Sequence, residues 1–122
     1  MDKQRLVFVS RDELLRIEVS KIVYFEADGN YTNIVTCNKI KSTVCRNLGQ
    51  MQHLLSQRLS EDSSTFARIG KRYIVNLNYV YKINSLKRTL ALTDFSNFLF
   101  LLEVSKDALR NLKEKMIENK IL

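Results

Sequence analysis

The sequence predicts a mainly β domain, an antiparallel sandwich or barrel with one internal helix and one helix near the end of the chain. Short runs of β-branched and aromatic residues recur between turn-forming residues, which is typical of these folds. The apolar spacing becomes helical in two segments only. With 122 residues, 45% of them hydrophobic, the chain is expected to form a single domain over residues 1–122.

The first half of the chain contains five predicted strands. They are residues 6–9, 14–17, 22–25, 31–36 and 40–44. Four consecutive β-formers make 22–25 the clearest of them. Gly29 lies in a turn signal and is expected to adopt a positive φ.

The cysteines lie on the predicted hairpin of the fourth and fifth strands. A turn at Asn38-Lys39 would place Cys37 opposite Ile40, and Cys45 opposite Thr32. The thiols would then be about 16 Å apart along the ladder. A disulfide needs much closer Cα atoms, so both cysteines are expected to be reduced.

Helical spacing begins after Asn47, a predicted N-cap, with Leu48, Met51, Leu55 and Leu59 on one face. A polar loop is expected at residues 60–64. The later predicted strands are residues 66–69, 73–75, 80–83, 90–92 and 98–102. The last two flank a five-residue connection at 93–97.

The final segment, from Lys106 onward, is predicted to be a helix. Leu109, Leu112 and Met116 form its apolar face, and Ser105 is placed to cap it.

The charge and the apolar runs restrict the class of protein. A net charge of +7 attracts polyanions, and nucleic acid is the commonest of them, although the charge is also compatible with simple solubility. No apolar run approaches the roughly 18 residues of a membrane span, and charges interrupt the first one. The sequence therefore predicts a cytoplasmic protein without a membrane segment.

Catalytic and metal-binding patterns are missing from the sequence. His53 is the only histidine and has no cysteine or carboxylate at ligand spacing. The three glycines stand alone, so no phosphate-cradling loop is evident. The acidic residues are not visibly paired for acid–base work. We expect no enzyme activity, no metal and no cofactor.

Three segments combine turn chemistry with polar or basic side chains: residues 28–33, residues 68–73 and Ser105-Lys106. Amides, hydroxyls and cations are the groups that contact base edges and phosphates. The N-terminus of a helix offers further N–H groups to a phosphate. The same segments are also compatible with ordinary polar loops.

Three ordered blocks resemble the LytTR family of bacterial DNA-binding domains. Residues 22–31 (IVYFEADGNY) resemble its I-x-Y-I-E-A-x-G-N-Y signature, and residues 66–76 (FARIGKRYIVN) resemble F-x-R-I-H-R-S-Y-I-V-N. Residues 104–106 (VSK) resemble the V-S-R that opens the last segment of the family. The resemblance extends over residues 6–115.

The resemblance implies an elongated fold of about ten strands in packed sheets that binds duplex DNA through loops. The three segments above are the loops that the family presents to DNA, so they are expected to converge on one face. The implied base-contacting residues are Thr32, Lys71 and Lys106. The implied phosphate-contacting neighbours are Asn30, Asn33, Arg72 and Ser105.

The resemblance also implies structural roles and shows departures from the family pattern. Tyr24, Phe25, Ile74 and Val75 are expected in the core. Glu26 and Asn76 are each expected either to satisfy a buried turn or to act at the surface. Gly70-Lys71 replaces the common His-Arg, and Lys106 replaces Arg, so the preferred operator is expected to differ from those of relatives.

The implied function is that of an output domain of a transcription regulator in a two-component system. In the family, a covalently linked receiver domain usually precedes this module, so Met1 need not begin the natural protein. The implied partner is promoter DNA with paired direct repeats.

Two alternative functions stay open: a β-sandwich module whose basic face binds an acidic protein, and a single-strand RNA binder. The RNA binder would stack bases on exposed tyrosines. Its possible platforms are Tyr31, Tyr73, Tyr79 and Tyr81.

Overall fold

The protein is mainly β, as the sequence predicts, in a computed structural model that describes residues 4–59 and 65–122. The predicted polar loop at 60–64 lies outside the described residues. The described residues form ten strands and two α-helices. The elements are β1 (Arg5–Val9), β2 (Leu14–Glu18), β3 (Ile22–Asp28), β4 (Tyr31–Thr36), β5 (Lys41–Val44), α1 (Leu48–Arg58), β6 (Phe66–Ile69), β7 (Tyr73–Asn76), β8 (Val80–Asn84), β9 (Thr89–Thr93), β10 (Leu99–Glu103) and α2 (Lys106–Glu118). Single 3-10 turns at Val19–Lys21 and Leu77–Tyr79 lead into β3 and β8.

The strands pair antiparallel in three sheets. The central sheet has the order β5-β4-β3-β7-β6, a second has the order β10-β9-β8, and β1 pairs with β2. Neighbouring residues of a strand point to opposite faces, so Ile74 and Val75 enter different cores. The β1–β2 hairpin and α1 cover one face of the central sheet, and the three-stranded sheet with α2 covers the other.

Both predicted helix caps are confirmed. The Asn47 side chain accepts a hydrogen bond from the Gln50 backbone amide at 2.8 Å, and the Gln50 side chain accepts one from the Asn47 amide at 2.9 Å. This reciprocal capping box fixes where α1 begins. The buried face of α1 includes Leu54 in addition to the predicted residues. No helix among the described residues is both long and apolar enough to cross a membrane.

The predicted core residues Phe25, Ile74 and Val75 are buried, whereas Tyr24 is only half-buried. Asn76 satisfies a buried turn, because its amide donates to the Ile22 carbonyl at 2.9 Å and its oxygen accepts from the Asn78 amide at 3.0 Å. A buried polar group needs such partners.

The hairpin of β4 and β5 has a different register from the predicted one. Thr32 pairs with Val44 rather than with Cys45, because the connection has three residues and not two. The Lys39 amide donates to the Thr36 carbonyl at 2.9 Å, and Lys39 adopts a φ of 69°. A three-residue hairpin of this kind needs a left-handed residue, and no glycine marks it here. Both cysteines are free, as expected.

The connection between β9 and β10 also lies one residue later than predicted. Thr93 pairs with Leu99, so the five connecting residues are 94–98, and Phe98 belongs to the connection rather than to the strand. The Asp94 carboxylate accepts hydrogen bonds from the backbone amides of Ser96, Asn97 and Phe98, which fixes this geometry.

Candidate nucleic-acid interface

Several turns meet at one end of the central sheet, which we call the turn end. Since its strands run antiparallel, the 28–31 turn, the segment after Val44 and the 70–72 turn all lie there. Two of the three segments singled out in the sequence therefore share one end of the sheet.

The first two segments are directly joined. The Ala27 amide donates a hydrogen bond to the Arg72 carbonyl at 2.8 Å, just beyond the last paired residues of β3 and β7. The Arg72 guanidinium also lies 3.4 Å from the Glu26 carboxylate and 5.1 Å from the ring centre of Tyr73. Glu26 therefore forms a surface ion pair rather than satisfying a buried turn.

The Arg68 side chain fixes the backbone of the 70–72 turn. Its guanidinium donates to the carbonyls of Gly70 at 3.1 Å and Lys71 at 3.5 Å, and to the Gln52 side chain on α1 at 3.1 Å. Gly70 adopts a φ of +60°, where the chain reverses. The side chains of Lys71 and Arg72 are left exposed above this anchored backbone.

The third segment lies beside the second. A methyl group placed on Gly70 would lie 3.8 Å from Cβ of Ala108, in the first turn of α2. The Ser105 hydroxyl accepts a hydrogen bond from the Ala108 amide at 3.3 Å and caps this helix. Ser105 is exposed and Lys106 half-buried. The three segments therefore meet at the turn end.

Two of the predicted site residues point inward instead of toward solvent. Thr32 is fully buried, and its hydroxyl donates to the Arg46 carbonyl at 2.8 Å. Asn33 is 4% exposed; its amide donates to the Asp28 carboxylate at 3.3 Å and its oxygen accepts from the Thr43 hydroxyl at 2.6 Å. This placement suits bracing of the turn end and argues against direct contact with a ligand. Asn30, by contrast, is exposed in the turn.

Arg46 is a cation of the turn end that the sequence analysis did not single out. It is exposed between β5 and the Asn47 cap of α1, and Thr32 fixes its carbonyl. The sequence feature that could have identified it is a basic residue directly before a predicted helix N-cap. Only the pairing of β5 with β4 brings it to the other turns.

The turn end carries four cations, and the acids near them are Glu26, Asp28, Glu103 and Asp107. The cations are Arg46, Lys71, Arg72 and Lys106. Glu26 is engaged with Arg72, and Asp28 with Asn33. Beneath them, burial raises the pKa of Tyr73, an effect that the adjacent Arg72 guanidinium opposes. Among the described residues, no three His, Cys, Asp or Glu side chains cluster as a metal site would require. The exposed cations, Arg46, Lys71 and Arg72, are the groups at this end that can contact a polyanion.

Comparison with known proteins identifies a family and several related solved structures. The family model described as the LytTr DNA-binding domain matches residues 12–117. The chain also resembles the solved LytTr DNA-binding domain of a protein described as a methyl-accepting/DNA response regulator from Bacillus cereus. The TM-score is 0.63 at 21% identity, over 93% of this chain and 96% of that chain. No curated protein matches the chain.

Proposed function

The chain belongs to the LytTR DNA-binding domain family, and we propose that it binds duplex promoter DNA sequence-specifically as the output domain of a bacterial transcription regulator. The observation that carries this proposal is the meeting of three polar and basic segments at the turn end. The Ala27–Arg72 hydrogen bond joins the first two segments, and Gly70 lies close to Ala108 near the start of the third.

The exposed groups of the turn end suggest a division of work. Lys71 and Lys106 would contact base edges, because Lys71 is exposed in a turn anchored by Arg68 and Lys106 begins α2 directly after its Ser105 cap. Arg72, Asn30, Ser105 and Arg46 would contact phosphates. Thr32 and Asn33 would hold the loops in place. Phosphate contacts fix orientation, and contacts to base edges provide the specificity.

The regulatory setting follows the family. A receiver domain linked to this module would control it in a two-component system, and paired direct repeats would each take one domain. The domain would act in the cytoplasm, without catalysis of its own. Exposed cations at one end of the molecule fit this setting, because they attract DNA from a distance.

Single-strand RNA binding has less support. Stacking needs several exposed aromatic faces along one track. Tyr73 is buried, and the half-exposed Tyr31 lies at the turn end. Tyr81 packs edge-to-face on Phe95, with ring centres 5.2 Å apart, near the opposite end of the three-stranded sheet. The exposed tyrosines therefore do not share a track.

Selection of bound sequences from a random duplex library tests the proposal. We expect enrichment of a defined sequence, with log K falling against log salt by about 0.9 for each phosphate contact, a slope of roughly 3 to 6. Single-stranded RNA and an acidic protein should compete poorly. A flat salt response, or binding without sequence enrichment, would contradict the proposal.

A further inference from the structure

The turn between β8 and β9 lies directly beside the start of α2. The Val104 amide donates a hydrogen bond to the Arg88 carbonyl at 3.0 Å, and Thr89 pairs with Glu103. The β8–β9 turn is thereby joined to the backbone that leads into Ser105 and Lys106. None of its residues belongs to the three segments described above.

The backbone of this turn is fixed. The Lys87 amide donates to the Asn84 side-chain oxygen at 3.0 Å, and Arg88 adopts a φ of 57°. Lys87 and Arg88 are both exposed. Two cations therefore project into solvent from an ordered backbone, next to the third DNA-facing segment.

The charge around the start of α2 shows why these cations matter. Glu103 and Asp107 are exposed on either side of Ser105-Lys106. One cation against two acids gives this segment a net charge of −1, which would repel a phosphate backbone. Adding Lys87 and Arg88 changes the local net charge to +1. The β8–β9 turn thus supplies the positive charge that the third segment lacks.

We propose that Lys87 and Arg88 form a further DNA contact and hold phosphates that flank the bases reached by Lys106. This inference rests on the proposed function. The β8–β9 turn is hydrogen-bonded to the backbone that leads into Ser105 and Lys106, so its cations add phosphate contacts next to the start of α2.

The test compares two double variants that lose the same charge. Lys87→Gln/Arg88→Gln removes the cations of the turn. Lys39→Gln/Lys41→Gln is the matched control: both lysines are exposed, Lys39 has a φ of 69°, and they lie at the end of the central sheet opposite the turn end. Binding to the selected operator and to a scrambled duplex is measured across a salt series, and thermal unfolding checks the fold.

We expect Lys87→Gln/Arg88→Gln to lower the salt slope by about 1.8, which is two contacts at 0.9 each. Affinity should fall by the same factor for operator and scrambled DNA. The control should keep the wild-type slope. If this double variant is poorly folded, the single variant Lys87→Gln, which leaves the left-handed Arg88 in place, should lower the slope by about 0.9, and an unchanged slope would overturn the inference.

The outcomes separate this inference from the proposed function. Absence of salt-dependent duplex binding by the wild-type protein would overturn the proposed function. A steep wild-type slope with no difference between the two double variants would overturn the β8–β9 contact alone. A loss confined to the operator would show base contact instead of phosphate contact and would also overturn it.

Discussion

The hydroxyl of Thr32 donates a 2.8 Å hydrogen bond to the carbonyl oxygen of Arg46. Since Thr32 is fully buried, this bond ties β4 to the segment between β5 and α1 from inside the molecule. A residue expected to contact DNA is thus connected to a neighbouring exposed cation, and it can influence binding through the position of Arg46.

Thr32→Val is expected to lower the free energy of unfolding by about 0.5–1.5 kcal/mol, because the hydrogen bond to the Arg46 carbonyl is lost. Affinity for operator and scrambled duplexes should fall by similar factors. Thr32→Ser, which keeps the hydroxyl, is the control and should bind like the wild type. Denaturant unfolding and binding assays measure both effects. A changed preference at a single base pair would instead show that Thr32 contacts a base.

Lys71→Ala and Lys106→Ala test the base-contacting roles. Each substitution should weaken the free energy of binding to the selected operator by about 1–3 kcal/mol, and to scrambled DNA by much less. The reason is that a lost base contact affects only the matching sequence. Lys120→Ala, outside the matched residues, should change little. If both variants fold and keep wild-type affinity and preference, the residue assignment is wrong.

Glu26→Gln is expected to strengthen DNA binding several-fold on both duplexes. The Glu26–Arg72 pair joins groups 3.4 Å apart with Arg72 62% exposed, and such pairs contribute only about 0–1 kcal/mol to stability. Without Glu26, Arg72 is free to bind phosphate and one negative charge is gone. Glu114→Gln on the exposed side of α2 gives the effect of charge alone. If Glu26→Gln and Glu114→Gln raise the affinity for DNA by the same factor, Arg72 has no special role at the interface.

Gly70→Ala is expected to destabilise the protein by about 1 kcal/mol and to weaken operator binding. Alanine fits in the space beside Ala108, so the cost comes from the φ of +60°. Gly70→Asn should cost less, because asparagine tolerates the left-handed region better. Gly49→Ala, inside α1, should instead raise the stability of the protein, because alanine has a higher helix propensity than glycine. Thermal unfolding distinguishes these variants, and a neutral Gly70→Ala would show that the turn can rearrange.

Asp94 gives the stability a defined pH dependence. Backbone amides, foremost that of Asn97 at 2.8 Å, donate to its carboxylate and lower its pKa to about 2. The pKa in the unfolded chain is about 3.9, so the stabilisation is complete above that value and disappears as the pH falls toward 2. Asp94→Ala should therefore unfold at a lower temperature than the wild type at pH 7.

The difference between Asp94→Ala and the wild type should narrow as the pH falls from about 4 to 2. Thermal unfolding at several pH values measures it. Asp12→Ala, in the exposed turn between β1 and β2, is the control and should stay close to the wild type throughout. A difference in unfolding temperature that does not depend on pH would mean that Asp94 acts through packing and not through its charge.

The sequence determined the local features of this protein. Runs of β-formers predicted most of the strands, Asn47 and Ser105 predicted the beginnings of the helices, and Gly29 predicted a turn with positive φ. Such features depend on a few neighbouring residues, so they can be recognised without knowing the rest of the fold. The three ordered family blocks also determined the family and the mainly β fold.

The tertiary structure alone decided which side chains reach solvent at the turn end. Lys39 adopts a left-handed conformation without a glycine signal, and this moves the β4–β5 register by one residue. Thr32 is buried because β4 lies between β5 and β3 in a sheet that is covered on both faces. The alternation of polar and apolar residues along β4 does not indicate this burial. The nearness of Arg88 to Val104 depends on strand pairing between distant parts of the chain. Local propensity cannot specify such pairing, because it is set by how the sheets and helices pack together.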